Sequence, residues 1–404
     1  MTTCCIVCDG TELLSLVEIP DVPVHCNVLC DSREEAMAIP RARMDLVVCE
    51  GCGHIFNRSF DPDQLLYGVE YENSLHGSSR FRQYAEALAD GLVRDYDLRG
   101  KDVIEIGCGD GRFLELICRK GGNRGVGFDP AAAPRKGRPL GEDVDIIPAC
   151  YGEGHGGYKG DAVLCRHVLE HIAHPGAFID LLRRALKNAA SLLFIEVPNG
   201  LYTLQSGLIW DLIYEHRSYF CQDSLARLLK DRGLAVHRLA TGYDGQFLSA
   251  NAAASEEGAD SAAAPDEPRT LAYVDGFRSR FRDTVDYWRT CVAAMRRSGT
   301  MAVAWGAGSK GVSFLNLVDQ GGDAIRYVID VNPRKAGKYV AGAGQQIVAP
   351  EALKSINPDL VLLMNPIYSE EVRRQLADLG LSSAVEVVAE GALQSASGAR
   401  SSAA

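Results

Sequence analysis

The chain has 404 residues, 47% hydrophobic and 24% charged, which is material for two or three packed domains. Its formal net charge of −11 argues against a general nucleic-acid binder or an anionic-membrane binder. No apolar run approaches the ~20 residues of a membrane span, and the start lacks the basic and apolar regions of a signal peptide. A soluble, cytoplasmic protein is therefore expected.

Seven of the 13 cysteines fall within the first 52 residues. Two C-x-x-C pairs stand out there, Cys5-Ile6-Val7-Cys8 and Cys49-Glu50-Gly51-Cys52, about forty residues apart. In a reducing compartment such pairs are better read as metal ligands than as a disulfide framework. Each pair can place two thiolates at adjacent vertices of a tetrahedron, which suits Zn2+ in a closed Cys4 shell. With no open coordination position, the metal would be structural. Gly51 and Gly53 fit the tight turn of the second pair, and Gly10 that of the first. Cys4, Cys26, Cys30, His25 and His54 are alternative ligands, and the bland reading makes the cysteines small buried hydrophobes. This zinc-binding block is placed at residues 1–62.

From residue 63 to 250 the pattern is that of an α/β unit. A helix is predicted from Arg80 to Tyr96. Short apolar runs follow at Val103–Ile106, Gly125–Phe128, Val144–Pro148, Ala162–Cys165 and Leu192–Val197, alternating with helical stretches. That alternation predicts a doubly wound parallel sheet. Residues 251–269 carry almost no large apolar side chains and are read as a linker. A long amphipathic helix is predicted over Leu271–Arg297, with Phe277, Phe281, Val285 and Trp288 on one face. A second Rossmann-like run occupies the rest of residues 270–393, with strands at Ala302–Trp305, Arg326–Asp330 and Leu360–Met364. Residues 394–404, rich in Ser, Ala and Gly, read as a frayed tail.

The first α/β run opens with Val103-Ile-Glu-Ile-Gly-Cys-Gly-Asp-Gly-Arg112, a strand feeding a glycine triplet and then a helix at Phe113–Arg119. Glycines 107, 109 and 111 let the backbone turn sharply and approach a ligand at the carboxyl end of the strand. A dinucleotide site shares that triplet. Glu105 inside the strand points instead to S-adenosylmethionine (SAM), as does Asp129 at the end of the second strand, where an acid can accept both ribose hydroxyls.

These features resemble the class I SAM-dependent methyltransferases. More narrowly, the chain is similar to the three-part sugar C-methyltransferases of natural-product pathways, which join a zinc-binding domain, a SAM-binding domain and a C-terminal Rossmann-like domain. The resemblance rests on both C-x-x-C pairs, Glu105 to Gly111, Arg166-His-Val-Leu-Glu-His171, Tyr214-Glu-His-Arg-Ser-Tyr-Phe220 and Trp305-Gly-Ala-Gly-Ser-Lys-Gly311. It implies methylation of carbon 3 in a nucleotide-linked 4-keto-sugar.

Carbon is a poor nucleophile until a proton beside the carbonyl is removed, so such an enzyme needs a base and an enolate-stabilising donor. Two histidine-bearing stretches follow the fourth and fifth strands. The resemblance makes His216 the base and Glu215 its acidic neighbour. It makes His171 a further active-site histidine, with Tyr214 and Tyr71 matching tyrosines of the site. The family reads Tyr-x-Glu-His where this chain reads Tyr214-Glu215-His216, one residue shorter. The bland readings are a helix-packing His171 and a core His216. His167 is assigned to the cofactor side or, with Glu170, to support.

In the C-terminal unit, Gly306 and Gly308 lead into a helix start whose amides, with Lys310, suit a phosphate or diphosphate. Asp330, ending the next strand, takes the ribose position of a Rossmann unit. A degenerate fold used as a scaffold is the competing reading. The partners expected are SAM and a small-molecule acceptor, with no nucleic acid or membrane, in a monomer or homodimer. Methylation of O, N or carbon in another metabolite is the alternative function.

Overall fold

The computed structural model describes residues 2–65, 71–72, 74–132, 141, 143–255 and 268–388, and three sheets organise them. Near the N-terminus come β1 (Leu13–Pro23), α1 (Arg33–Met37), β2 (Arg41–Cys49) and β3 (Ile55–Asn57). The three strands pair antiparallel in chain order. The inner face of β2 is continuously buried from Met44 to Cys49, which is why this block reads as apolar despite its small size.

Helix α2 (Ser79–Asp95) starts where the Ser78 hydroxyl accepts the Arg80 and Phe81 amides, a side-chain cap of the usual kind. The chain then builds the large sheet. It runs β4 (Asp102–Ile106), α3 (Arg112–Gly121), β5 (Arg124–Phe128), β6 (Val144–Ile147), β7 (Ala162–Arg166), α4 (Pro175–Ala185) and β8 (Leu192–Pro198). Next come α5 (Gly200–Ser206), β9 (Ser218–Tyr219), α6 (Gln222–Asp231), β10 (Leu234–Gly242) and β11 (Phe247–Ala254). The sheet order is β10-β11-β8-β7-β4-β5-β6, with β4 to β8 parallel where the sequence predicts them. Strand order reverses beside β4, so a crevice opens at its carboxyl end.

Two features of this sheet depart from the expectation. Strands β10 and β11 add an antiparallel hairpin, β11 lying between β10 and β8. The linker reading at Asn251 also fails, because Asn251–Ala254 complete β11 and both Asn251 and Ala252 are buried. Small side chains suit a strand flanked on both sides, so low side-chain volume here marks close packing. Residues 256–267 and the predicted tail at 394–404 lie outside the described residues.

The third sheet belongs to the C-terminal stretch. Helix α7 (Val274–Ser298) leads to β12 (Ala302–Trp305), α8 (Ser309–Val318), β13 (Ile325–Ile329), β14 (Gln346–Val348), α9 (Leu353–Ile356), β15 (Leu360–Leu363), α10 (Ser369–Asp378) and β16 (Ala384–Val387). All five strands are parallel, in the order β14-β13-β12-β15-β16. A second switch point therefore lies beside β12. Of the predicted apolar face of α7, Phe277, Val285 and Trp288 are buried and Phe281 is partly buried.

The three units are fused. Strand β9 leaves the middle of the chain to pair with β3 and completes the N-terminal sheet. One apolar core runs from Val17 and Leu46 through Trp210 and Tyr214 to Trp288 and Phe314. The Trp288 indole N–H donates to the Val388 carbonyl at 3.0 Å, so even this buried ring leaves no polar atom stranded.

Candidate active site

The glycine turn after β4 has the geometry its sequence demands. Gly107, Gly109 and Gly111 all adopt positive φ, between 55° and 74°. A Cβ on Gly107 would stand 2.0 Å from Val168 Cγ2, whereas one on Gly109 would meet nothing within 4 Å. The first glycine is required by packing, and the second leaves open space for a ligand. The Gly109 amide donates to one Asp129 carboxylate oxygen at 2.8 Å, and Ala131 donates to the other at 2.7 Å. Asp129 is thus held rigidly at the rim, with acceptor capacity left on each oxygen.

Glu105 lies beneath this turn, 2% exposed, and its Oε2 has no hydrogen-bond partner. Burial pushes its carboxyl up to about 8, opposed by the Arg166 charge and a backbone hydrogen bond from Leu114. An orphaned buried acid beside an open glycine turn fits a site that awaits the cationic end of SAM. The sign of the stability effect follows. The folded protein holds this proton more tightly than the unfolded chain, so nothing is lost below about pH 4.5. Stability falls as pH rises from there towards 8, by an amount on the order of 3 kcal/mol at neutral pH. Glu105→Gln should therefore stabilise the cofactor-free protein at pH 8 while leaving it unchanged at pH 4. Denaturant unfolding at the two pH values checks this, and no gain at pH 8 would refute it. Asp129→Ala should weaken SAM binding by about 2–3 kcal/mol, the scale of charge-assisted hydrogen bonds left unmade. Calorimetry measures it.

After β7, a short turn of 3-10 helix at Leu169–His171 gathers the second set of groups. Glu170 is its hub. This 1%-exposed carboxylate has His167 Nδ1 at 3.8 Å and His171 Nε2 at 4.0 Å, while its Oε2 has no hydrogen-bond partner. The rings of His171 and His216 meet edge to face, 4.9 Å apart. Ligating atoms of Glu170, His171 and His216 all lie within 4.8 Å of one another. His216 is held down to about 3, mostly by burial and then by the His171 charge, with Glu170 opposing. A histidine near its ordinary value of ~6.5 would suit a general base at neutral pH, and this one lies well below it. Enclosure among cationic neighbours keeps it neutral, and its Nδ1 has no hydrogen-bond partner.

His167 has a positive φ of 54° and sits between two carboxylates, Glu170 and Glu196. Burial would lower it, but those carboxylates win and raise it to about 9. It is a cation at neutral pH, better suited to support than to proton abstraction. Glu196 in turn accepts both Arg166 Nε and Nη2, at 2.9 and 2.8 Å, and a bond from the Tyr84 hydroxyl. The sequence reading missed this Arg166–Glu196–Tyr84 network, because nothing local marks it.

Two expected members of the site lie elsewhere. The Tyr214 hydroxyl accepts the Asp61 amide at 2.9 Å, and its ring packs 5.7 Å from Phe60. The short Tyr-Glu-His stretch turns this side chain into the N-terminal unit and away from the histidines. Glu215 does not face His216 either. Its carboxylate accepts the Cys26 amide at 3.2 Å and stands 3.7 Å from His25 Nδ1, while its carbonyl meets His171 Nδ1 at 3.0 Å. Tyr71 forms an isolated antiparallel bridge with Val28.

The two cysteine pairs come together. Cys5 and Cys52 sulfurs are 3.6 Å apart, as are those of Cys8 and Cys49. A tetrahedral zinc with Zn–S bonds of about 2.3 Å requires sulfurs about 3.8 Å apart, so the four thiolates fit that ion. Both pairs use one backbone pattern. Asp9 donates to the Cys5 carbonyl and Gly53 to that of Cys49, while Cys5 and Cys49 donate to Gly10 and His54 carbonyls. The left-handed residue is Asp9 in one knuckle and Gly53 in the other, which displaces the expected roles of Gly10 and Gly51. Cys4, Cys26, Cys30, His25 and His54 lie outside the four-cysteine cluster.

The C-terminal turn repeats the first. Gly306 donates to Ile329 at 2.8 Å and Ala307 to Asp330 Oδ2 at 2.9 Å, matching Gly107 with Phe128 and Gly109 with Asp129. Gly308 caps α8. Lys310 is ion-paired with Asp211, so its charge is partly neutralised before any ligand arrives. With Tyr202, Trp210, Gln246 and Met364 it lines a cleft between the second and third sheets, and its charge reaches His216.

Comparison with known proteins matches residues 77–239 to a methyltransferase domain and residues 260–388 to a C-methyltransferase C-terminal domain. Residues 77–239 thus form a methyltransferase domain, joined to a C-methyltransferase C-terminal domain. A ubiquinone biosynthesis O-methyltransferase of Erwinia tasmaniensis is 29% identical over a stretch covering 24% of this chain and 42% of that relative. The match thus spans less than half of the relative. Among solved structures, magnesium protoporphyrin IX methyltransferase from Synechocystis PCC 6803 with bound S-adenosylhomocysteine is 19% identical. It overlaps 46% of this chain and 91% of its own, with a TM-score of 0.35. A Burkholderia thailandensis 1,6-didemethyltoxoflavin N1-methyltransferase is 18% identical, covering 50% and 96%, also at 0.35. No helix among the described residues of the methyltransferase is long and apolar enough to cross a membrane.

Proposed function

We propose that this methyltransferase adds a methyl group to carbon beside the carbonyl of a nucleotide-linked keto-sugar, in natural-product biosynthesis. One observation carries the reading: the segment Arg166–His171 joins the two halves of the chemistry. Val168 packs on the Gly107 turn of the donor site, and two or three residues on Glu170 and His171 meet His216. The C-methyltransferase C-terminal domain is consistent with a carbon acceptor.

SAM, when bound, supplies an electrophilic methyl group for in-line transfer, so the protein's task is mainly position. Glu105, the glycine turn, Asp129 and His167 hold the donor. Gly306, Gly308 and Lys310 take the diphosphate of the acceptor, for which Lys310 must exchange Asp211 for the ligand. His216 accepts the proton alpha to the carbonyl, and His171, whose Nδ1–H is held by the Glu215 carbonyl, must carry a second proton on Nε2 to donate to the developing enolate oxygen. Glu170 is the carboxylate that balances the charge gained by the histidines, whereas the sequence reading made Glu215 the acidic neighbour of the base. Tyr71 closes the acceptor side.

The test supplies trideuteriomethyl-SAM with a thymidine-diphosphate 4-keto-sugar. A mass gain located on carbon by NMR supports the proposal. A methyl group found on O or N, or turnover confined to other metabolites, selects the alternative reading. The diversion of Tyr214 to Asp61 is the observation that favours that alternative.

A further inference from the structure

The strap Val24–Cys30 threads from the N-terminal unit into the middle of the molecule, and all of it but Val28 is buried. It touches every unit: Val28 bridges Tyr71, Cys30 bridges Tyr339, and the Cys26 amide donates to Glu215. Glu215 is 0% exposed, with Cys26 N at 3.2 Å and His25 Nδ1 at 3.7 Å from one oxygen and no hydrogen-bond partner for the other. One backbone amide is poor compensation for a carboxylate removed from water. The His25 ring, its Nδ1 3.7 Å away, is the side chain that faces this oxygen beside the Cys26 amide.

The main chain of the same residue does something different. The Glu215 carbonyl meets His171 Nδ1 at 3.0 Å. A carbonyl only accepts, so this bond requires the proton of His171 on Nδ1 and leaves Nε2 as the basic nitrogen of the neutral ring. Glu215 is thereby gripped at both ends, by the strap through its carboxylate and by His171 through its carbonyl.

We infer that His25 is a positioning residue of the active site: through Glu215 it fixes the tautomer and orientation of His171. The inference rests on the reading that His171 serves the chemistry, yet its test does not require the acceptor. It gives the zinc-bearing unit a part in the reaction centre, which a purely structural module would lack.

The experiment uses full-length, zinc-loaded protein labelled with 15N-histidine, and records long-range 15N–1H correlations of the imidazoles. The wild type should show His171 protonated on Nδ1, assigned by loss of its signals in His171→Gln. In His25→Leu that pattern should give way to a mixture of tautomers, whereas His25→Gln, which keeps a donor towards Glu215, should largely retain it. Zinc content and SAM affinity should stay unchanged in both. An unaltered His171 pattern in folded His25→Leu overturns the inference. If His25→Leu does not fold, Glu215→Gln decides: it keeps the shape but alters the group that His25 faces, and an unaltered His171 pattern there also overturns the inference. An altered tautomer together with a failed C-methylation assay would retain the positioning role and discard the proposed substrate.

Discussion

Stripping zinc from the four-cysteine cluster should cost the methyltransferase its N-terminal sheet. Apparent binding free energies of structural zinc sites are about 10–16 kcal/mol near neutral pH, comparable to the whole stability of a domain. The first knuckle, Cys5–Cys8, precedes β1, and the second, Cys49–Cys52, separates β2 from β3. Without the ion, four sulfurs, three of them on buried cysteines, would face one another with nothing to bind. The effect should spread, because Cys5, Val7, Cys49 and Cys52 share an apolar cluster with Ile104, Val163 and Leu225 of the large sheet and its helix. The Gly53 carbonyl also accepts the Thr270 hydroxyl at 3.0 Å, tying the second knuckle to the start of the C-terminal unit. A strong chelator, or Cys52→Ser, should thus lower the melting temperature and expose protease sites before Leu65. Metal analysis should find one zinc per chain in the untreated protein. A value well below one, or an unchanged melting curve after chelation, would refute the assignment.

What could be read from the sequence and what could not divides along physical lines. Backbone demands are local, so the turns at Gly107 and Gly306 announce themselves as glycines, and alternating apolar runs announce β4, β5, β7, β8, β12 and β15. The four clustered cysteines were equally legible, because spacing within each pair fixes the knuckle. Long-range partners leave no such trace. Glu215 finds Cys26 across 189 positions of chain, and Glu196 finds Tyr84 across 112. Reading Glu215 as the neighbour of His216 assumed that adjacency in sequence means adjacency of side chains, whereas consecutive side chains diverge and its carboxylate went to the strap. The approach of His167 to Glu170 was hidden for the same reason: His167 is left-handed and precedes the 3-10 turn at Leu169–His171, so no helical period announces the pair. Strand β9 was invisible for a different cause: two residues carry no period, and only β3 makes them a strand.

His216→Asn should slow the proposed carbon methylation by about 10²–10⁴-fold, the usual loss when a general base is removed. SAM affinity should barely change, because the proposed donor site (Glu105, the glycine turn and Asp129) lies on β4 and β5. Asparagine keeps a similar polar shape but cannot take up a proton, so the variant should also lose solvent-deuterium exchange at the acceptor carbon. The pH dependence follows from the same geometry. His216 is held down to about 3 in the ligand-free protein, by burial and by the His171 charge. It is therefore already neutral at pH 5, and its own ionisation should not limit the rate between pH 5 and 8. A ring with so low a proton affinity is a weak base, poorly matched to its task, so it must gain affinity when the acceptor arrives. Glu170 supplies the means: its buried carboxylate lies within 4.8 Å of the ligating atoms of both histidines. Glu170→Gln should then reproduce most of the His216→Asn loss while leaving SAM binding intact. Exchange persisting in His216→Asn but vanishing in His171→Gln would transfer the base to His171. Exchange persisting in both variants would remove this cluster from proton abstraction altogether.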